Sequence, residues 1–577
     1  MMITSPAILQ SDDDEKTHRA TGAFFIFMHI PNDSVNTPFR MERGIFMRQK
    51  PYRLLIAAAI LFLCMSGVMV RLFSVSAGGK TAAAGIRQGT YHLHVPVSGG
   101  MIYDRNFVPL NQSQQRILAV VNPVPETVAS VWIKLRNRSD VTEQLQKHVP
   151  FVCELTEPAE SSANLIVLNG MEKAPGAVPA QHLIGYRQNG SGIAGLEKAY
   201  APWLETCSAE ADIVFSVNAR GEVLAGGESS AVMTGNGTGG IVTTLHAEMQ
   251  RITESALAGI APNAGAAIVL DVQTGEIMAC ASTPVYNPDD LASALNRSDA
   301  PFVNRALSAY SVGSVFKLVT AAAALESGFS TQYMYDCTGD IEFYGQRFRC
   351  HDLSGHGLLN MQKALVKSCN PYFISLSRLL APDMLHDTAE AFGFGTENIL
   401  APGLAGAAGY LPSEDELRVE AEKANFSFGQ GKLLATPLQI AAMTACIAND
   451  GIYTEPSLIR GLTDDGQTLL PGQKPEQHRT VGKETSGKLR RMMAAVLADQ
   501  QTANARPAGI RAAGKTSTAQ TGRFDPDGKE YCHAWMTGFF PLARPEYAVT
   551  VFVEDGGSGN QAAAPVFREI IEQIADL

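Results

Sequence analysis

Ser311-Val312-Gly313-Ser314-Val315-Phe316-Lys317-Leu318-Val319-Thr320 runs without a break into Ala321-Ala322-Ala323-Ala324-Leu325-Glu326. Alanine and leucine are strong helix formers and Gly328 is a natural stop, so this stretch reads as a buried helix with Ser314 in its first turn. Lys317 follows three residues later on the same face, which brings its amine within reach of the serine hydroxyl. A serine hydroxyl is a poor nucleophile at neutral pH until a neighbouring base takes its proton. A lysine in apolar surroundings has a depressed pKa and can be that base. Ser-x-x-Lys alone fits equally well a plain buried helix start with a snorkelling lysine. The rest of the chain decides between them.

Two further patterns lie downstream. Ser368-Cys369-Asn370 follows the helical Ala364-Leu365-Val366-Lys367 and precedes Pro371, and Lys515-Thr516-Ser517-Thr518 sits on a strand after Gly514. Each is common alone: Ser-x-Asn recurs at Ser34, Ser216 and Ser558, and Lys-Thr at Lys16 and Lys80. The order, the wide spacing and the settings (helix start, helix–loop junction, strand near the C-terminus) are not common together.

The elements around them outline one fold. Ala266 to Asp271 and Glu276 to Ala281, joined by Gln273-Thr274-Gly275, read as a β-hairpin. Val242 to Ala258, Phe302 to Leu325 and Met361 to Leu380 have helical character. Arg511 to Ala519, Ala534 to Phe540 and Tyr547 to Val553 read as strands, and Ala563 to Leu577 carries Val566, Phe567, Ile570, Ile571 and Ile574 on a helical period. The class is α+β: a mostly antiparallel five-stranded sheet covered by helices over residues 241–577. Residues 80–238 form a separate, elongated module of mixed α/β character, and Gly235-Asn236-Gly237-Thr238-Gly239-Gly240 marks the boundary.

The three motifs together resemble the serine acyltransferases that include penicillin-binding proteins and serine β-lactamases, with their S-x-x-K, S-x-N and K-T-G pattern. The likeness is closer to class B penicillin-binding proteins, the single-span D,D-transpeptidases of peptidoglycan synthesis, and covers about Leu54 to the C-terminus. Asn304-Arg305-Ala306-Leu307, Gly429-Gln430-Gly431, Thr436-Pro437-Leu438-Gln439 and His533-Ala534-Trp535-Met536-Thr537-Gly538-Phe539-Phe540-Pro541 add to it. So do Ile102-Tyr103-Asp104-Arg105-Asn106 and Gly195-Leu196-Glu197-Lys198-Ala199-Tyr200 in the N-terminal module, which the resemblance makes a dimerisation or pedestal domain.

The resemblance implies roles. Ser314 would attack the carbonyl of a D-Ala–D-Ala stem peptide, with Lys317 taking its proton and Ser368 relaying that proton to the leaving amine. Asn370 would hold a substrate amide, Lys515 would add positive field, and Thr516 and Thr518 would bind the terminal carboxylate. The backbone N–H groups of Ser314 and Thr518 would hold the oxyanion. Penicillins and other β-lactams would trap Ser314, and a glycosyltransferase of the division or elongation machinery is the expected partner. Two positions depart from the family's pattern. Ser517 stands where glycine is usual, on the Lys515 face by strand alternation, and Gly99 stands where arginine is common. A β-lactamase, a β-lactam-sensing receptor and a catalytically impaired cell-wall scaffold are the alternative readings.

Leu54 to Val70 is uncharged and bracketed by Arg53 and Arg71, so residues 54–73 read as a transmembrane anchor. Arg40, Arg43, Arg48, Lys50 and Arg53 precede it, which puts residues 1–53 in the cytoplasm as a disordered tail and the catalytic domain outside the membrane. Lys80 to Gly89 is a small-residue linker. The formal charge of -11 with no basic face excludes nucleic acid as a partner. No cofactor is implied. The nine cysteines show no C-x-x-C spacing and so no zinc pattern. Cys337 and Cys350 flank an apparent hairpin and read either as a disulfide or as two reduced thiols. His351 and His356 read as loop histidines, and His533 as structural.

Overall fold

The computed structural model describes residues 51–77, 89–112, 114–218, 222–224 and 229–577. The expected tail up to Lys50 and the expected linker from Lys80 to Gln88 lie outside them. Pro51–Ala77 is one helix, and its stretch Tyr52–Ser74 is long and apolar enough to cross a membrane. It forms a unit of its own.

The second unit is organised on a five-stranded sheet. Its order is Ile277–Thr283, Gly265–Asp271, Tyr547–Val553, Glu530–Phe540, Ala513–Phe524, antiparallel throughout. Strand alternation sends successive side chains to opposite faces, and here both faces are buried. Ile268, Leu270, Trp535, Phe539 and Phe552 pack against the helices Lys317–Glu326 and Pro437–Ala448. Ala267, Val269, Met536, Val549 and Val551 pack against Ala247–Ala258 and Ala564–Ala575, through Ile252, Leu257, Phe567, Ile570 and Ile571. Ala513–Phe524, which carries the Lys515 motif, is an edge strand.

Three segments are less helical than their sequence suggests. Gly240–Thr243 is a strand and the helix begins only at Ala247. Residues from Phe302 to Ser308 are irregular because the chain wraps round Arg305. Its guanidinium donates to the Asp299 and Ala300 carbonyls and pairs with Glu554 at 2.7 Å, while its N–H donates to Ser282. Met361 to Leu380 is two helices, Met361–Val366 and Asn370–Ser377, because Ser368 adopts a φ of 50° that no helix tolerates.

The N-terminal module holds two three-stranded antiparallel sheets: Thr90–Ser98 with Ala209–Ser216 and Ser229–Thr234, and Phe151–Leu155 with Gln114–Val121 and Leu165–Glu172. It is stitched to the rest by parallel pairing of Met101–Tyr103 with Gly240–Thr243. The Asp104 carboxylate accepts from Ala247 N at the start of its helix, and Arg105 pairs with Glu276 at 3.1 Å. At Gly100 a β-carbon would stand 2.4 Å from the Leu204 carbonyl oxygen, so only glycine fits there. Beside Gly99, Gln112 fills the space, accepting from the Gly99 N–H and donating to the Gly100 carbonyl.

Candidate active site

Ser314 sits in a 3-10 turn, Gly313–Phe316, which leads directly into the helix Lys317–Glu326. From Lys317 to Leu325 every side chain of that helix is buried. The run of four alanines lets neighbouring elements close in on it, and this dry environment surrounds the lysine.

The Lys317 side chain has no exposed surface. Its Nζ lies 2.6 Å from the Ser368 carbonyl oxygen and 2.7 Å from Asn370 Oδ1. It also lies 3.0 Å from Ser314 Oγ and 3.2 Å from Ser368 Oγ. Burial, then the like charge of Lys515, lowers its pKa well below the ordinary lysine value. A neutral amine has two N–H donors and one lone pair. The carbonyl and the amide oxygen can only accept, so they take the two donors and leave the lone pair to the hydroxyls.

Lys515 is 1% exposed, and burial brings its pKa down to about 7. Its Nζ donates to Ser368 Oγ at 3.2 Å and to the Thr516 carbonyl at 2.8 Å. The Ser368 hydroxyl therefore stands at the same distance from both amines. The broken helix makes this geometry: the left-handed Ser368 turns its carbonyl and its hydroxyl onto Lys317 together.

These groups open onto a groove of about 840 Å³ whose lining includes Ser314, Ser368, Asn370, Thr516, Ser517 and Thr518. Ser517 is buried and donates to the Val312 carbonyl at 2.9 Å, behind the nucleophile. Its hydroxyl is thus held by the turn, on the strand face it shares with Lys515. Gly313 N–H donates to the Gly429 carbonyl at 2.7 Å, and at Gly429 (φ 81°) a β-carbon would stand 2.1 Å from the Gly313 oxygen. The Gly429-Gln430-Gly431 loop thus backs the turn. Gln439 caps its own helix through Thr436, and its amide donates to the Gly393, Thr396 and Ala408 carbonyls, a purely structural use. His533 Nδ1 accepts from Asp555 N and packs against Tyr310.

Of the alternatives left open for Cys337 and Cys350, the structure has the unbonded one. The hairpin between them is present, Asp340–Phe343 with Gln346–Arg349. Sequence spacing did not anticipate that Cys369 and His356 would join the two thiols: the four ligating atoms lie within 4.8 Å of one another. The one signal was Cys369 at the centre of the Ser368-Cys369-Asn370 motif.

A model of the penicillin-binding protein transpeptidase domain matches residues 265–572, which include every residue of this groove. The peptidoglycan D,D-transpeptidase PbpA of Mycolicibacterium smegmatis is 33% identical over 365 residues, 58% of this chain and 72% of that protein. The peptidoglycan D,D-transpeptidase MrdA of Escherichia coli K12 is 27% identical over 568 residues, 83% of this chain and 87% of that protein. The structure of penicillin-binding protein A from Mycobacterium tuberculosis, solved as a ceftriaxone acyl-enzyme complex, superposes with a TM-score of 0.58 at 25% identity. That likeness covers 72% of this chain and 95% of the other.

Proposed function

The chain belongs to the penicillin-binding protein transpeptidase family, in its class B branch, and on that premise we propose that it cross-links peptidoglycan stem peptides through an acyl-enzyme on Ser314. The observation that carries this reading is a fully buried Lys317 amine 3.0 Å from the Ser314 hydroxyl.

In this reading Ser314 Oγ attacks the carbonyl carbon of the penultimate D-alanine while Lys317 Nζ takes its proton. The tetrahedral oxyanion forms against the backbone N–H groups of Ser314 and Thr518, and each such donor contributes roughly 10²–10³ in rate. The C–N bond then breaks, and the proton passes from Lys317 through the Ser368 hydroxyl to the departing amine. D-Alanine leaves, and Ser314 holds the donor peptide as an ester. An amine of a neighbouring strand attacks that ester, forming the cross-link and returning the proton to Ser314. Asn370 orients Lys317 and a substrate amide. Lys515, Thr516 and Thr518 attract and hold the terminal carboxylate, and the proximity of Lys515 helps keep Lys317 uncharged. β-Lactams would acylate Ser314 by the first half of the same sequence.

The helix Pro51–Ala77 supports a single-pass anchor over residues 54–73, with the basic residues before it cytoplasmic and residues 80–238 and 241–577 outside as pedestal and catalytic domains. Cross-linking consumes strands that a glycosyltransferase must supply, which makes such an enzyme the expected partner at the membrane. The test is a fluorescent penicillin added to the full-length chain in detergent. Label that persists for hours, and is absent from Ser314→Ala, supports the transpeptidase over a lactamase or a scaffold, and a β-lactam-sensing receptor would label in the same way. Label shed with drug turnover indicates a lactamase, and no label a scaffold.

A further inference from the structure

Three thiols and an imidazole converge beside the Ser368 corner. Cys337 ends the strand Tyr335–Cys337, Cys350 follows the strand Gln346–Arg349, His356 precedes the strand Gly357–Leu359, and Cys369 caps the helix Asn370–Ser377. The three cysteines are buried and the histidine is half-buried. Their ligating atoms all lie within 4.8 Å of one another, and Cys350 Sγ is 3.5 Å from His356 Nδ1.

A tetrahedral ion holds its ligands at separations within that bound. Zinc–sulfur bonds of about 2.3 Å and zinc–nitrogen bonds of about 2.05 Å put two thiolates about 3.8 Å apart and a thiolate about 3.5 Å from an imidazole nitrogen. The donor set is soft, and three sulfurs with one nitrogen select zinc over calcium, magnesium or manganese. A disulfide would use two of the thiols and strand the third, buried without a strong hydrogen-bond partner. The surroundings also call for a clamp. Residues from Tyr335 to Leu359 form only two-stranded pairs, and Ile341, Phe343 and Phe348 are their main apolar anchors.

We infer that Cys337, Cys350, His356 and Cys369 hold one zinc ion in a closed, structural site. Binding releases three thiol protons to solvent and leaves the site with one net negative charge. All four positions are protein ligands, so no place remains for a substrate or an activated water. What the ion does follows from where it sits. Cys369 stands between Ser368, held at a φ of 50°, and Asn370, and both of these touch Lys317 Nζ. Fixing Cys369 to Cys337, Cys350 and His356 fixes the corner that orients the lysine, and Cys350 itself lines the groove. The four residues are positioning residues for the site.

The experiment is metal analysis of the full-length chain purified in detergent without added metal, with thiols counted before and after chelation. The expected result is about one zinc per chain with three thiols protected until the ion is removed. Exchange with Co(II) should give the strong visible bands and the sulfur charge-transfer absorption of a tetrahedral thiolate site. Cys350→Ser and His356→Ala should carry less than about a tenth of the wild-type zinc, while Cys532→Ser, outside the cluster, keeps it. A wild-type chain that is metal-free and takes up neither ion, or a disulfide among these cysteines in the isolated protein, overturns the site. The metal count is read on the wild type, so neither a misfolded variant nor a failure of penicillin labelling can mimic either result.

Discussion

The Ser517 hydroxyl donates to the Val312 carbonyl across 2.9 Å, tying the edge strand to the turn that presents Ser314. The two elements are far apart in sequence, and their relative placement sets the width of the groove. Ser517→Ala removes the donor and should lower stability by about 1 kcal/mol, read as a shift of the denaturant midpoint. Acylation by penicillin should slow with it. An unchanged midpoint would mean that the bond contributes nothing to holding the turn.

Asn370 Oδ1 accepts from Lys317 at 2.7 Å. Asn370→Asp keeps the shape but puts a carboxylate against the amine, which favours the charged lysine and raises its pKa. Penicillin acylation at neutral pH should fall by roughly 10- to 1000-fold. Its pH profile should move to higher pH, and rate should be recovered in alkali. A loss of rate with no shift in the profile would contradict the role given to the lone pair of Lys317.

Burial lowers the pKa of both lysines, that of Lys515 to about 7. Between that value and the ordinary lysine value of 10.5 the unfolded chain binds a proton that the folded chain does not, so stability rises with pH across that window. Lys515→Met removes one such group and should flatten the rise by up to about 1.4 kcal/mol per pH unit. Urea midpoints taken between neutrality and pH 10 measure it. A slope identical to that of the wild type would show that Lys515 is protonated in the folded protein throughout.

Arg305 is buried and serves Glu554, Asp299 and Ala300 at once. Arg305→Ala leaves two carbonyls and a half-buried carboxylate without their donor and should destabilise the domain by about 3 kcal/mol. Arg305→Lys should recover little, because the three N–H groups of an ammonium diverge from one nitrogen and cannot span acceptors that the guanidinium reaches with three separate nitrogens. Rescue by lysine would reduce the role of Arg305 to one of charge alone.

The five strands of the sheet and the C-terminal helix could be read from local periodicity, since Ala266 to Asp271 and Tyr547 to Val553 are apolar runs bounded by turns. Ser314 and Lys317 could be placed because three residues of helix fix their separation wherever the helix lies. Ser368 was visible as a motif, but its left-handed backbone was not. That conformation is held by tertiary contacts to Lys317, and the local sequence marked only a junction of helix and loop. Arg305 defeated the helical reading of its segment in the same way, through partners at Ser282 and Glu554. The thiol cluster escaped notice because its ligands follow the spacing C-x12-C-x5-H-x12-C and come from a strand end, the two ends of one loop and a helix start. No short-range pattern marks such a site.

The central claim is that Ser314 is the acylated residue, with Lys317 as its base. Mass spectrometry of the full-length chain after exposure to benzylpenicillin, followed by peptide mapping, tests it most directly. The account predicts one penicilloyl group per chain, carried by Ser314 and absent from both Ser314→Ala and Lys317→Met. An adduct on another residue, or undiminished acylation in Lys317→Met, would contradict it.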